Sequence, residues 1–221
     1  MPRLIRWLGG LLRSWKIRLT TRTDLLNHLI STRGYRRYLE IGVRDPRINF
    51  DKVLAPVKVS VDPAPLAAVT FRGSSDDFFA YLARTDPAAR YDLVFIDGLH
   101  LAEQVERDIT NALARLEAGG TIVVHDCNPS TPDAQSEDYD GVKRWNGTVW
   151  KAWARLRAGR PDLSMCVVNM DEGCGIIGRG AQQCFPLPTD RHDALDYRYL
   201  ERHRRKLLNL VSRYSFLGWD S

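Results

Sequence analysis

The chain has no apolar run of about eighteen residues or more, so no stretch of it reads as a membrane-crossing helix. Cysteine is scarce. Only Cys127, Cys166, Cys174 and Cys184 occur, and none are in C-x-x-C spacing. That excludes a disulfide framework and a zinc ribbon, and makes a reducing cytoplasm the expected location. Internal repeats and low-complexity tracts are absent. Acidic residues are missing from positions 1–22, which hold six Arg or Lys. The remainder is balanced, with 26 basic against 27 acidic residues. The net charge of +5 therefore belongs to an amino-terminal arm. It does not describe a nucleic-acid-binding face, and no nucleic-acid partner is expected.

What is present is a core. The 221 residues are 44% hydrophobic, enough for one domain with elaborations. Three parts are expected: a basic amphipathic arm over 1–22, a domain over 23–185, and a helical carboxyl-terminal extension over 186–221 packed on it. The arm mixes Leu, Ile and Trp with Arg and Lys, which suits a membrane surface. Gly9-Gly10 weakens such a helix, so packing on its own domain, or on a second copy in a homo-oligomer, is preferred. Short apolar stretches interrupted by Arg do not read as a signal peptide.

The densest information lies between Tyr91 and Pro129. Asp92 to Ile96 is a short apolar run, as expected of a strand buried on both faces of a parallel sheet. It stops at Asp97-Gly98-Leu99-His100. Val105, Ile109, Leu113 and Leu116 recur at helical spacing, and Gly119-Gly120 is expected to end that helix. Thr121 to Val124 is a second buried strand, stopping at His125-Asp126. A right-handed strand–helix–strand unit makes the two strands parallel. Placed side by side, they bring Asp97 and Asp126 to the carboxyl-terminal edge of the sheet, where open α/β sheets hold ligands.

Upstream, Thr23 or Asp24 can cap a helix through Leu25 to Ile30. Tyr38 to Val43 is a first strand with its turn, Lys58 to Asp62 a second, and Val69 to Gly73 a third. Ser74 to Ala83 reads as a capped helix. Downstream, Trp145 to Leu156 is helical, and Ser164–Asn169 and Gly173–Gly178 are strands six and seven. The turn between those two is too short for a crossover helix, so they form an antiparallel hairpin. The fold class is α/β: a Rossmann-like three-layer sandwich on a seven-stranded, mostly parallel sheet ending in that hairpin.

Glu40-Ile41-Gly42 closes the first strand, and Asp62 closes the second. A carboxylate there suits a ribose diol, because its two oxygens accept from two hydroxyls. A dinucleotide fold wants G-x-G-x-x-G at this turn, but Val43-Arg44-Asp45-Pro46-Arg47 follows Gly42. A nucleoside without a pyrophosphate fits better, and a dinucleotide oxidoreductase is disfavoured.

The segments YLEIGV, VDP, SDDFF, FIDGLH, GGTIVVHDCNP and WNGTVWKA occur here in that order. In this the sequence resembles the class I S-adenosylmethionine-dependent methyltransferases over roughly residues 35–180. It is nearest to small bacterial members similar to metal-dependent sugar and small-molecule O-methyltransferases. The resemblance implies Glu40 and Gly42 near the methionine moiety, Asp62 on the ribose, and Ser75 and Asp76 near adenine. It implies Asp97 beside the cofactor and as a ligand, with Asp126, of a divalent ion such as Mg2+. His100 is then the general base that takes a proton from a small-molecule acceptor. His125 stands where such relatives carry the first acid of a pair.

Strand alternation lets only one of His125 and Asp126 face the cleft, and Asp126 is the one expected there. His125, Asn128, Trp145 and Asn146 are candidate acceptor contacts, with a supporting role for His125 as the alternative. Trp145 and Trp150 equally suit a helix that only packs on the sheet. Asp97 could instead cap the following helix. Glu103 and Asp108 read as solvated helix-face charges, and Cys127 as a small buried filler. The competing function is a non-catalytic nucleoside-binding protein of the same fold.

Overall fold

The computed structural model describes residues 19–141, 144–188 and 195–217. The amphipathic arm over residues 1–18 lies outside the described residues. The domain begins earlier than expected. Leu19 is buried in the core, and the Thr21 side chain accepts from the backbone N–H of Asp24 in a capping box that opens helix α1 (Arg22–Arg33). Thr21, not Thr23 or Asp24, is the cap. Asp24 answers it from the third helical position.

Strands β1 (Arg37–Ile41), β2 (Val57–Asp62), β3 (Phe71–Arg72), β4 (Tyr91–Ile96) and β5 (Leu116–Val124) pair in parallel. Helix α2 (Ser75–Thr85) joins β3 to β4, and α3 (Ala102–Ala114) joins β4 to β5. Helix α4 (Val149–Gly159) leads to the antiparallel hairpin of β6 (Leu163–Val168) and β7 (Cys174–Arg179). The sheet order is β3-β2-β1-β4-β5-β7-β6-β8. Its eighth member, β8 (Leu210–Val211), was not expected. It lies between helices α5 (Tyr197–Leu207) and α6 (Arg213–Leu217) and pairs in parallel with β6. Helix α3 stops at Ala114, and Gly119-Gly120 lie inside β5 rather than ending the helix.

Strand alternation divides the core into two layers. Leu39, Ile41, Val94, Ile96, Ile122 and Val124 face α2 to α5. Tyr38, Leu93, Phe95 and Val123 face the other side, against Leu25, Leu26 and Leu29 of α1 and Phe216 of α6. Leu195, Leu200, Leu207 and Leu208 belong to the first of these layers, so the carboxyl-terminal segment packs into the core. No helix among the described residues is long and apolar enough to cross a membrane.

Candidate active site

At the carboxyl ends of β1, β2 and β4 lies a cavity of about 650 Å³, lined by Gly42, Asp62, Ser75, Asp97, Leu99 and Gln104 among others. Its floor depends on Gly42. That residue has φ +86°, and a Cβ added there would lie 2.1 Å from the Asp97 carbonyl oxygen. Only glycine allows the β1 turn to pass so close to the β4 turn. Asp62 is buried and shapes the rim. Its Oδ2 accepts from the backbone N–H of Arg44 at 2.8 Å, and its Oδ1 from that of Ala64 at 2.8 Å. Each oxygen keeps a lone pair for a diol. Ser75 lines the same cavity and accepts from Gln104 Nε2 at 3.1 Å.

Two expected cofactor residues stand elsewhere. Glu40 follows the alternation of β1 onto the face of Tyr38, toward the α1 layer, and is not part of the cavity wall. It accepts from Tyr38 Oη at 2.5 Å and from Asn49 Nδ2 at 3.0 Å. Burial pushes its pKa up to about 7, with Asp97 adding to the rise and the Tyr38 and Asn49 hydrogen bonds opposing it. Asp76 is half exposed, 3.5 Å from Arg107 Nε, and outside the cavity wall. Asp108, expected in solvent, is only 1% exposed and accepts from Gln104 Nε2 at 3.0 Å. Its helix position turns it inward onto the α2–α3 contact, where burial raises its pKa.

The second half of the site is a cluster of charges at the ends of β4 and β5. These two strands are adjacent, as expected, with Ile96 opposite Val124. His125 Nδ1 lies 3.1 Å from Asp97 Oδ1 and 2.9 Å from Asp126 Oδ2. His100 Nε2 is 3.4 Å from Asp97 Oδ1, and its Nδ1 is 3.4 Å from Asp126 Oδ2. His125 faces the α1 side, toward Arg22, Asp171 and Phe95, and its contact with the Asp126 carboxylate has a backbone reason. Asp126 has φ +62°, which ends the alternation and returns its carboxylate to the side of His125.

Burial works against the charges here, and their pairing outweighs it. Asp97 is held well below the ordinary carboxylate range by His125 and His100 despite burial. Burial opposes the imidazolium of His125, yet Asp97, Asp126 and Asp171 hold its pKa well above the usual histidine value. His100 is raised as well, with burial opposed by Asp97 and Asp126.

Two members of this cluster were not foreseen. Arg22, the first residue of α1, places Nη1 3.1 Å from His125 Nε2 and Nη2 3.8 Å from Asp97 Oδ2. Asp171, in the β6–β7 turn, accepts from the Arg22 backbone N–H at 2.6 Å and sits 3.6 Å from His125 Nε2. Asp171 and Glu172 both have positive φ, 41° and 62°. The turn Asp171-Glu172-Gly173 was visible in the sequence, but only the hairpin brings it beside β5. Nothing in the sequence around Arg22 marks it out from the other basic residues of the arm.

Trp145 stacks on His100 with ring centroids 4.8 Å apart and donates from Nε1 to the Ser136 carbonyl at 2.6 Å. Asn146 is fully buried and donates from Nδ2 to Asp126 Oδ1 at 2.7 Å. Gly147, at φ +56°, passes so close to His100 that a Cβ would fall 2.1 Å from the His100 carbonyl oxygen. The 145–148 segment therefore closes over the cluster. Trp150 is wholly buried, as in the packing alternative. Asn128 points away from the cluster: its Oδ1 accepts from Arg204 and its Nδ2 donates to Asn169 Oδ1 at 3.2 Å. Cys127 is buried, as expected of a filler.

One oxygen or nitrogen from each of Asp97, His100 and Asp126 lies within 4.8 Å of the others. His100 Nδ1 is buried without a hydrogen-bond partner. Two hard carboxylate oxygens beside an unsatisfied imidazole fit a divalent cation.

Residues 37–127 match the family described as "Methyltransferase domain". No curated protein matches the chain. Among solved structures, cofactor-bound Rv0187 from MTB superposes with a TM-score of 0.52 at 18% identity, over 82% of this chain and 91% of that one. The O-methyltransferase from Bacillus cereus in complex with SAH gives 0.50 at 15%, over 78% and 86%. The SAH-bound Podospora anserina methyltransferase PaMTH1 gives 0.50 at 18%, over 72% and 78%. At these identities the structures establish the fold. Residues 37–127 match a methyltransferase domain, and they hold the ends of β1, β2 and β4 that form the cavity.

Proposed function

We propose that the chain methylates a hydroxyl oxygen of a small acceptor, such as a sugar, with the help of a divalent metal ion. The observation that carries this reading is the double position of Asp97. It lines the cofactor cavity and also belongs to the His100–Asp126 cluster. A methyl donor in the cavity and a hydroxyl over the cluster would therefore meet at one residue.

S-adenosylmethionine supplies a methyl group on a sulfonium, and transfer breaks the carbon–sulfur bond as the carbon–oxygen bond forms. The hydroxyl proton has to leave in the same event. His100 is the group that takes it, since its Nδ1 makes no hydrogen bond and its ring is held by Trp145. Positioned proton transfer of this kind contributes roughly 10² to 10⁴-fold. Asp97 and Asp126 would hold the ion, which when bound supplies Lewis acidity toward an acceptor oxygen. His125 and Arg22 keep the two carboxylates in place from the α1 side. Trp145 forms the wall against which an acceptor packs, and Asn146 holds the Asp126 carboxylate from behind.

Calorimetry with S-adenosylmethionine, S-adenosylhomocysteine and NAD, each with and without magnesium, tests the cofactor half. Binding of NAD alone would overturn it. With an acceptor in hand, turnover is measured in excess chelator and again after magnesium is restored. Asp97→Asn and Asp126→Asn are expected to abolish the restored turnover while sparing cofactor affinity. Full activity in chelator removes the metal from the reading.

A further inference from the structure

A second cavity, of about 630 Å³, opens at the opposite end of the sheet. It lies between the end of α4, the strap after β7 and the end of α5, and is lined by Arg157, Ser164, Gln182, Cys184, Lys206 and Asn209 among others. Ser164 is near the amino end of β6, so this cavity is remote from the methyl-transfer edge. It has no part in the reaction described above.

Its distinguishing residue is Arg157. The side chain is 7% exposed, and a guanidinium stays charged at any ordinary pH. Burial lowers its pKa. A buried charge is normally paired, because an uncompensated one loses its hydration for nothing. Among the described residues no carboxylate pairs with Arg157. Its Nη1 donates to Gln182 Oε1 and its Nε to the Leu207 carbonyl at a long 3.4 Å. Both acceptors are neutral, and Nη2 has no described acceptor. Lys206 adds a second cation at the same rim, also without an ion pair to a described residue. Two cations, the amides of Gln182 and Asn209 and the Ser164 hydroxyl thus surround a space too large for an inorganic ion alone. Among the described residues nothing at this cavity supplies negative charge.

We propose that this cavity binds the oxyanion of a phosphorylated small molecule, with Arg157 as its buried contact and Lys206 as its contact at the mouth. Arg157 offers the planar fork that matches two oxygens of a phosphate, and Lys206 a point charge for a third. Because the ligand would touch both α4 and α5, its binding would hold the carboxyl-terminal segment on the domain.

The test uses the full chain, with inorganic phosphate and glycerol 3-phosphate as probes and chloride at matched ionic strength as control. Thermal midpoint and calorimetric binding are both read. Saturable binding is expected, with a midpoint that climbs with phosphate and not with chloride. Lys206→Glu, on an exposed side chain, is expected to fold normally and keep its affinity for S-adenosylhomocysteine. It should weaken glycerol 3-phosphate at least about tenfold, roughly the weight of one charge-assisted contact. Arg157→Lys should weaken it further. A structural tether to Gln182 and Leu207 would instead lower the midpoint of Arg157→Lys equally in phosphate and in chloride. That outcome, or unchanged phosphate affinity in Lys206→Glu, overturns the proposal.

Discussion

The two halves of the candidate active site are built by different means. The cavity at the ends of β1, β2 and β4 is a backbone construction. Gly42 lets two turns touch, Asp62 ties down the N–H groups of Arg44 and Ala64, and its walls carry few charges. The β4–β5 cluster is a side-chain construction, in which Asp97, Asp126, Asp171, Arg22, His100 and His125 stand within 4 Å of one or more oppositely charged partners. A backbone site tolerates changes in side-chain charge but not in shape. A charge cluster responds in the opposite way. It keeps its shape when one member is replaced by an isostere and loses its chemistry.

The strongest way to break that contrast is at Gly42 and His100. Gly42→Ala would force a Cβ into the Asp97 carbonyl at a positive φ. A loss of about 3 kcal/mol or more in stability is expected from denaturant unfolding, together with loss of S-adenosylhomocysteine binding. Normal stability and affinity in that variant would mean that shape does not govern the cavity. His100→Ala should instead leave cofactor affinity intact and lower turnover about 10²-fold or more. An unchanged rate would remove His100 as the base.

Smaller effects sharpen the comparison within each half. Asp62→Ala should weaken S-adenosylhomocysteine by roughly 1.5 to 3 kcal/mol, the scale of hydrogen bonds to a charged group. Unchanged affinity in a folded Asp62→Ala protein would confine Asp62 to holding the turn. Glu40 lies behind the cavity, and its effect should appear in stability. Its folded pKa of about 7 exceeds the ordinary value of 4.5. The folded chain therefore binds more proton than the unfolded chain between those values. The contribution is fully present below about pH 4.5 and is lost as pH rises through 7. Glu40→Gln should flatten this decline and gain on the order of 2 kcal/mol relative to wild type at pH 8. A parallel decline in both proteins would assign the pH dependence to other groups.

Much of this molecule was legible in the chain. Buried strands announced themselves as apolar runs, and carboxylates closing three of them marked the functional edge. The short turn at Asp171-Glu172-Gly173 required an antiparallel hairpin. Errors came where local pattern and tertiary context part company. Gly119-Gly120 looked like a helix stop and are strand residues. Asp108 looked like a solvated charge and is buried between helices, because a polar residue on the inward stripe is indistinguishable from one on the outward stripe until the neighbour is placed. Glu40 stands at the expected strand end, and the alternation of β1 turns it to the face of Tyr38.

By itself, the sequence determined the mostly parallel sheet, its closing hairpin and the arrival of Asp97 and Asp126 at one edge of it. These follow from periodicity, turn length and handedness, which are local or nearest-neighbour properties. Only the tertiary structure decided that Arg22 and Asp171 join His125. They lie 103 and 46 residues from it in the chain, and no local rule relates a helix start, a hairpin turn and a strand end. It also decided that Asp126 turns back beside His125, because φ +62° at a non-glycine residue is held by the packing around it. The same holds for Arg157, whose neutral partners, Gln182 and the Leu207 carbonyl, come from distant parts of the chain.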